Sequence, residues 1–259
     1  MNKGMLLYLA TYSLWRREVV RFYRQRSRII GALGSPLVFW LLIGSGLGRS
    51  FQGAPGSGGY LEFFYPGTLA LILLFTAIFS TISIIEDRQE GFLQGVLVAP
   101  VPRAAIVLGK ILGATTLAVA QGLVFLLLAP LAGVPLDARS IPALVGVMIM
   151  VAFGLSGLGF IVAWSLDSTQ GFHAIMNVFL IPLWILSGAL FPASGAAGWV
   201  RGLMLINPAT YGVSALRQLL YDQPLPAEPS LAVSVAVTAV FGVAMLAAGA
   251  WVVTREGRR

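Results

Sequence analysis

FFYPGTLALILLFTAIFSTISII, the stretch from residue 63 to residue 85, decides the fold class of this chain. The stretch carries no charge, and it exceeds the roughly 20 apolar residues that an α-helix needs to cross the hydrocarbon core of a bilayer. Each unpaired backbone group in lipid costs several kcal/mol, so a spanning stretch has to be helical. The stretch therefore predicts a transmembrane helix, and similar stretches lie on both sides of it.

Five further apolar stretches have a comparable length, and the only Lys, Arg, Asp or Glu among them is Lys110. They are Ile29–Gly48, Val107–Val134, Ile141–Leu166, Gly171–Phe191 and Leu231–Val253. With residues 63–85 they predict an all-α polytopic membrane protein with six transmembrane helices. The expected division is a cytoplasmic amino-terminal segment over residues 1–28, a transmembrane domain over residues 29–253 and a cytoplasmic tail over residues 254–259.

The composition agrees with this fold class. The chain is 58% hydrophobic and 10% charged, whereas soluble domains carry roughly a quarter charged residues. Its net charge of +7 does not indicate a nucleic-acid partner, because the basic residues flank the apolar stretches instead of forming a stripe. The absence of cysteine excludes disulfides, thiolate metal sites and cysteine nucleophiles.

Lysine and arginine are distributed unevenly between the predicted loops. With the amino terminus inside, thirteen of the seventeen lie on the cytoplasmic side, and the other four are Arg49, Arg139, Arg201 and Arg217. The positive-inside rule then places both termini in the cytoplasm, with the lipid of the inner (cytoplasmic) membrane around the spans. The amino terminus lacks a short apolar core with a cleavage site, so no cleaved signal peptide is expected.

The amino-terminal segment mixes aromatic residues with arginines, including Arg16, Arg17 and Arg21. It is too charged to span a bilayer and is typical of a helix that lies in the membrane interface. Two roles stay open for it. It is either a simple positive anchor or a surface helix on which a partner docks.

A second informative segment is EDRQEGFLQGVLVAPVPR, residues 86–103. Its spacing predicts one short amphipathic helix with an acidic start, where the helix dipole favours negative charge, and with prolines at its end. A loop between two spans needs an apolar face only if that face docks on something, which is a partner, the headgroups or the chain's own helices. The apolar residues at helical spacing are Phe92, Leu93, Val96 and Leu97.

The segment between the last two spans is longer than a connector needs. Its apolar stretches Trp199–Ile206 and Tyr211–Leu220 are too short to span and are separated by Asn207-Pro208. They predict a re-entrant or interfacial helix pair on the outer side, held against protein. Arg201 and Arg217 are expected at the level of the outer headgroups.

Few ionisable residues fall within the predicted spans. Lys110 and His173 begin the third and fifth spans, near the cytoplasmic interface, where a lysine can extend to the headgroups. His173 is either structural or interfacial, or it is a gate or a substrate contact. A proton- or sodium-coupled carrier usually needs buried carboxylates, so that class is disfavoured, as are an intramembrane hydrolase and a metal site.

Small and polar residues in the spans suggest packing and a pathway. The glycines at positions 109, 113, 154, 157 and 159 have spacings that allow close helix contact, or they line a route for cargo. The polar side chains best placed to line a pathway are Thr115, Gln121, Asn177 and Ser187.

Three pieces of the chain together resemble a known family. They are IEDRQEGFLQGVLVAPVPR (Ile85–Arg103), LSGALFP (Leu186–Pro192) followed by NPATY (Asn207–Tyr211) and Leu216-Arg217, and the basic, aromatic amino-terminal helix. Nearly end to end, the chain resembles the membrane subunit of ABC-2 type exporters, which include drug-resistance, nodulation-factor and polysaccharide-export permeases.

The resemblance implies that the amino-terminal helix is a connecting helix and that residues 86–99 form a coupling helix. Both would contact a separate ATP-binding subunit that holds ATP and Mg, and two copies of this chain, or this chain and a similar permease, would pair. The residues it assigns to coupling are Glu86, Asp87, Arg88, Glu90, Gly91, Phe92, Leu93, Val96, Leu97, Arg16, Arg17 and Arg21.

A phosphate loop would be needed for this chain to bind ATP itself. The only Gly-Lys pair is Gly109-Lys110, and Ile111 follows it instead of Ser or Thr. We therefore expect no cofactor in this chain and no enzymatic activity of its own.

The expected function is export of an amphipathic drug, a lipid or a lipid-linked glycan, driven by ATP. Three alternatives remain at this point: a dedicated polysaccharide or glycolipid exporter, a membrane scaffold that seats an ATPase without transporting, and a secondary transporter, which is weakened by the missing carboxylates.

Overall fold

The computed structural model describes residues 3–47, 59–221 and 227–256. Within these ranges the regular structure is helical, without a strand. The α-helices are α1 (Lys3–Arg24), α2 (Arg26–Leu47), α3 (Tyr60–Ser80), α4 (Ser83–Gln89), α5 (Phe92–Val98), α6 (Arg103–Leu126), α7 (Ile141–Trp164), α8 (Thr169–Trp184), α9 (Gly198–Ile206), α10 (Pro208–Tyr221) and α11 (Leu231–Glu256).

Five helical stretches in the described ranges are long and apolar enough to cross a membrane, and they match the last five predicted spans. The first predicted span falls on α2, whose apolar part is shorter and runs from Leu33 to Gly46. The count of six therefore stays a prediction. The five stretches are Tyr60–Gln89, Arg103–Leu126, Ile141–Trp164, Thr169–Ala189 and Leu231–Arg255.

The central helix is α3, which is buried along most of its length between α2, α6, α7, α8 and α10. Gly67 permits one close approach, because a Cβ there would lie 2.7 Å from the Cβ of Ala189. The indole Nε1 of Trp184 donates to the carbonyl oxygen of Gly67 at 2.8 Å. The most apolar stretch of the sequence thus forms protein core, whereas α11 packs mainly on α7 and α10 and stays largely exposed.

The glycines of α7 are packing positions. A Cβ at Gly154 would lie 2.6 Å from Cδ1 of Phe241, and a Cβ at Gly157 would lie 2.7 Å from the Cβ of Met245. A Cβ at Gly159 would approach the backbone of α3. Small residues let the helix backbones come close, so the packing interpretation of these glycines is confirmed.

Three predicted spans are longer than the helices that form them. The second was drawn to residue 85, but α3 ends at Ser80 and a turn precedes α4. The third was drawn to residue 134, but α6 ends at Leu126 and a 3₁₀ turn over Ala129–Ala132 follows. In the fifth predicted span, α8 ends at Trp184 and continues as a π-helical turn over Ile185–Ala189. Gly188 interrupts the helical conformation of that turn with φ 81°. Hydropathy does not report such backbone breaks.

The boundaries of other predicted segments also differ from those of the structure. α1 and α2 are separated at Gln25, three residues before the expected boundary at residue 28. The predicted outer loop after the first span lies almost entirely outside the described residues. So do residues 222–226 and the last three residues of the predicted tail, whereas α11 covers the tail's first residues up to Glu256.

The predicted helix pair between the last spans is present as α9 and α10. Asn207 joins them: its Oδ1 accepts from the backbone N of Ala209 at 2.9 Å, and its Nδ2 donates to the carbonyl oxygen of Leu183 at 2.6 Å. α10 is mostly buried against the bundle, while α9 exposes apolar side chains such as Trp199. The re-entrant position of the pair in a membrane stays a prediction.

The expectation that Arg217 lies among the outer headgroups is wrong. Its side chain is 2% exposed and forms an ion pair with Glu228. Its Nη2 donates to the carbonyl oxygen of Gly188 at 2.8 Å, and its guanidinium lies over the ring of Phe63. These partners compensate for removing the guanidinium from water. Arg201, in contrast, is exposed as expected.

Candidate functional site

α1 docks in a groove on α6 that two glycines create. A Cβ at Gly109 would lie 2.6 Å from the Cβ of Leu14, and a Cβ at Gly113 would lie 2.7 Å from the Cβ of Glu18. These glycines are four residues apart and so share one helix face. The indole Nε1 of Trp15 fixes the register by donating to Oγ1 of Thr116 at 3.0 Å. α1 is therefore held against protein along one side.

Lys110 lies in this interface and is 3% exposed. Its Nζ lies 2.6 Å from Oε1 of Glu18, 3.2 Å from Oγ of Ser83 and in contact with the carboxylate of Asp87. The expectation that Lys110 extends to the headgroups is therefore wrong. Two carboxylates and a hydroxyl replace the water that a buried ammonium loses.

Asp87 of α4 is the centre of this charge cluster and is fully buried. Nη1 and Nη2 of Arg17 each donate to it at 2.7 Å, and Nη1 of Arg21 donates to it at 2.8 Å. Arg21 also pairs with Glu86 at 2.9 Å and with Glu90 at 3.3 Å. The cluster thus joins α1, α4 and α6, which lie far apart in sequence.

The electrostatics of the cluster favour its charged forms. Burial on its own would lower the pKa of Arg17, but the hydrogen bond and the negative charge of Asp87 outweigh it and raise that pKa. Arg17 therefore stays a cation under all ordinary conditions. Within the described ranges, no group of three or more His, Asp or Glu side chains is placed to hold a metal ion.

Glu18 was missed at the sequence level, and it is 7% exposed in the cluster. It stands directly after two arginines, in a segment that looks uniformly basic. The available signal was spacing, since Thr11, Leu14 and Glu18 follow one another at helical intervals and share the face that packs on α6.

The coupling segment is two helices, not one. Gly91 lies between α4 and α5 with φ 78°, a left-handed conformation that glycine adopts without a steric penalty. The acidic residues Glu86 and Asp87 belong to α4, and α5 has no acidic residue in its first turn. The prediction of a single helix with an acidic start is therefore wrong.

The side chains of α5 that pack on the bundle and those that face outward also differ from the prediction. Leu93 is 3% exposed in the core, and Phe92 lies 3.7 Å beneath the guanidinium of Arg17. Val96 packs against the core as well. The apolar side chains that point outward are Leu97, 37% exposed, and Val98, 88% exposed, and Gln94 is exposed as well. Most of the predicted docking face therefore packs on the chain itself.

The remaining coupling residues lie at the edge of the cluster. Arg16 is exposed and points away from α6. Arg88 leaves the cluster toward the link between α7 and α8, where its Nη1 meets Oδ1 of Asp167 at 2.8 Å. All twelve predicted coupling residues thus lie on α1, α4, α5 and the turn at Gly91, and the structure brings most of them together.

An open cavity of about 590 Å³ lies beside the cluster, between α2, α3 and α8. It follows α3 from Leu71 to Ser80, a length of about 14 Å at 1.5 Å per residue, and reaches Ile82 in the turn that follows. None of the described residues that line it is Asp, Glu, Lys or Arg. His173 lines it and stacks on Phe79 with ring centroids 5.0 Å apart.

The four predicted pathway residues do not line this cavity. Thr115, Gln121 and Ser187 are buried, and Asn177 is exposed on α8. Two of them contact a lining residue: Oε1 of Gln121 accepts from Oγ1 of Thr76 at 2.6 Å, and Oγ of Ser187 donates to the carbonyl oxygen of Trp184 at 2.6 Å. The structure does not bring the four together, and their role in a pathway stays a prediction.

Comparison with known proteins extends these observations. A family model described as ABC-2 type transporter matches residues 10–221. The putative transport permease ycf38 of Cyanophora paradoxa is 27% identical, over 80% of this chain and 73% of that protein. Nodulation protein J of Sinorhizobium fredii is 25% identical, over 82% of this chain and 81% of that protein.

A third relative is the probable multidrug ABC transporter permease YbhR of Escherichia coli K12, which is 29% identical over 62% of this chain and 44% of that protein. The residues matched by the family model contain the charge cluster, α5 and the cavity. They run from the first helix to the end of α10. This chain therefore belongs to the ABC-2 type transporter family.

Proposed function

We propose that this chain is the membrane-spanning subunit of an ATP-driven exporter and works with a separate ATP-binding subunit. The observation that carries the proposal is α5, which exposes Leu97 and Val98 while its other face is fixed to the bundle. Family membership supports it. ATP and Mg would be held by the partner, because the sequence of this chain contains no phosphate loop.

The docking surface that we propose consists of the outward face of α5 and the exposed arginine side of α1. Leu97 and Val98 supply apolar area, and Arg16 and Glu90 supply charge at the rim. An apolar centre with a charged rim is typical of a protein–protein contact. Phe92 and Leu93 would support this surface from beneath.

The cargo that we propose is an amphipathic drug, a lipid or a lipid-linked glycan, moved outward across the cytoplasmic membrane. The cavity between α2, α3 and α8 supports this because its volume lies in the range of small-molecule sites. Five residues of its lining are Phe or Trp, among them Phe39, Phe75 and Trp184. An apolar portion of the cargo would pack against these rings.

Two alternative functions are each supported by one observation. The aromatic lining also suits stacking on sugar rings, which favours a dedicated polysaccharide or glycolipid exporter. The few polar groups of the lining, Ser35, Thr76, Ser80 and His173, offer little for sugar hydroxyls. A scaffold that seats an ATPase would show the same α5 surface, but reconstituted vesicles would then show no transport dependent on ATP.

A second copy of the chain, or a similar permease, completes the proposed assembly. α2 and α8 carry exposed apolar side chains on their outer sides, among them Leu42, 67% exposed, and Val178, 72% exposed. These surfaces face either lipid or another protomer. The mass of the purified complex in light scattering distinguishes a pair from a single copy.

The orientation that we propose places both termini in the cytoplasm. The chain contains no cysteine, so single cysteines report on topology without background. Ser194 and Ser168 are both exposed, at opposite ends of α8 and its π-helical extension. We expect a membrane-impermeant maleimide added outside to label Ser194→Cys but not Ser168→Cys. Labelling of Ser168→Cys from outside would show that the orientation is the opposite of the proposed one.

Purification of the tagged chain from its host in mild detergent tests the function. We expect an ATP-binding subunit with a phosphate loop at about one copy per permease, with ATP hydrolysis in the same fraction. Val98→Asp should reduce its recovery at least tenfold, because an unpaired charge would be buried in an apolar contact. Leu131→Asp is the matched control, since Leu131 is 77% exposed far from α5.

Recovery of the chain without an ATP-binding subunit would reject the exporter. Equal recovery with Val98→Asp and with Leu131→Asp would reject α5 as the docking surface while leaving the exporter in place.

A further inference from the structure

Arg88 of α4 closes the carboxyl end of α7. Its Nη2 donates to the carbonyl oxygen of Trp164 at 2.6 Å, and its Nη1 contacts the carbonyl oxygen of Leu166 at 3.2 Å and Oδ1 of Asp167 at 2.8 Å. Nε2 of Gln89 donates to the carbonyl oxygen of Asp167 at 2.8 Å. The last carbonyls of a helix lack partners within it, and a cation is favourable there. These contacts attach α4 to the link between α7 and α8.

The link between α7 and α8 is short, so the contacts of Arg88 and Gln89 with this link also position α8. α8 begins at Thr169, after Ser168 accepts a capping hydrogen bond from the backbone N of Gly171 at 3.2 Å. His173 follows in the second turn and stacks on Phe79 in the cavity. A displacement of α4 that keeps the Arg88 contacts therefore displaces this wall of the cavity.

The other side of α4 contacts α1, which supplies another lining residue of the cavity. Asp87, the residue before Arg88, binds Arg17 and Arg21 of α1. Phe22, the residue after Arg21, lines the same cavity. Consecutive helical residues point about 100° apart, so two neighbouring side chains of α4 reach two different helices.

We propose that Arg88 is a positioning residue through which movement of α4 and α5 reaches α8. In this arrangement Asp87 holds α1, Arg88 holds α8, and α4 sets the distance between two lining residues of the cavity, Phe22 and His173. We take this pair as the entrance of the cavity. The inference rests on the proposed function, because it assumes that an ATP-binding subunit moves α5. It goes beyond that function in assigning one side chain to control of the entrance.

The chain provides a matched control in Arg103. Its Nη1 donates to the carbonyl oxygen of Val253 at 2.9 Å, so it also holds the end of a helix, α11. No described residue of α11 lines the cavity. Loss of Arg103 therefore removes a comparable contact without touching the entrance.

Distance measurement between two spin labels tests the proposal. Tyr23 and Ala174, exposed neighbours of the entrance residues, are changed to cysteine, and labelled chain is diluted with unlabelled chain in the assembled complex. We expect trapping with ADP-vanadate to shift the distance. Arg88→Met should reduce that shift by at least half at unchanged stoichiometry of the ATP-binding subunit, while Arg103→Met should leave it unchanged.

The same shift in Arg88→Met and in the unaltered complex would overturn the proposal, as would no shift on trapping when the ATP-binding subunit is bound. If Arg88→Met does not fold, Arg88→Lys takes its place. Lysine keeps the charge but not the planar fork, so a reduced shift is again expected, and a full shift contradicts it. Absence of any ATP-binding subunit is a different result, since it rejects the proposed function and with it this inference.

Discussion

Charged side chains are buried near both ends of α3, and the two sites are built differently. At one end, Asp87 binds cations from α1 and α6, and those cations have further carboxylates within reach. At the other end, Arg217 pairs with Glu228 and one backbone carbonyl. The first site shares its charge among many groups, while the second depends on a single pair.

This difference indicates different mechanical roles. A site with several partners can lose or rearrange one contact and still compensate its charges, so it tolerates movement of α4. A single buried pair tolerates none, because separation leaves a charge without a partner. We therefore expect the Arg217 site to behave as a fixed point and the Asp87 site to behave as an adjustable one.

The largest expected effect is at the fixed point. Arg217→Met leaves Glu228 buried without its cation, and it should lower the free energy of unfolding by about 3–5 kcal/mol. Unfolding by SDS in mixed micelles measures the change. Arg201→Met, an exposed arginine nearby, should change it by less than about 0.5 kcal/mol. A loss below about 1 kcal/mol for Arg217→Met would remove the distinction between the two sites.

A smaller effect is expected at the adjustable site. Asp87→Asn removes the charge that Arg17, Arg21 and Lys110 share, but these cations retain Glu18, Glu86 and Glu90 as partners. We expect a loss of about 2–3 kcal/mol in the same assay, close to a single hydrogen bond to a charged group. Glu90→Gln serves as the control, since that carboxylate is 58% exposed and should contribute little. A loss larger than that of Arg217→Met would reverse the comparison.

The smallest effect separates packing from charge at the adjustable site. Gly109→Ala places a Cβ against Leu14 of α1 and should cost about 1–2 kcal/mol through overpacking. Gly146→Ala in α7 meets no atom within 4 Å, so it should be neutral or stabilising by up to about 1 kcal/mol. Equal effects of the two substitutions in the unfolding assay would show that charge alone holds α1 on α6.

Much of the helical architecture could be predicted from the sequence, because apolar length is what a bilayer selects. The last five spans, the helix pair between the final two of them and the close packing at Gly154 and Gly157 could all be predicted from sequence patterns. The breaks at Ser80, Leu126 and Gly188 were not, since they depend on local backbone geometry inside continuous apolar runs.

The sequence predicted which segments form the candidate site, but not which side chains contact each other in it. Spacing predicted the amphipathic segment of residues 86–103 and the amino-terminal helix, yet it gave no information on which side chains of different helices meet, such as Arg17 and Asp87. Lys110 and Arg217 look like headgroup cations in a single sequence, because their partners Glu18 and Glu228 lie elsewhere in it. Whether a charged side chain is buried depends on the partner that it meets in the folded chain. The periodicity of the sequence does not show that partner.

The left-handed turn at Gly91 has a consequence for the proposed docking of an ATP-binding subunit. It separates α4, which holds the charge cluster, from α5, whose outward residues are Leu97 and Val98. Provided that the inward Leu93 is kept, the outward face of α5 can diverge without altering the contacts of α4. If α5 is the docking surface that we propose, a change of partner would alter residues after Gly91, and the charge cluster that holds α1 on the bundle would keep its residues before Gly91.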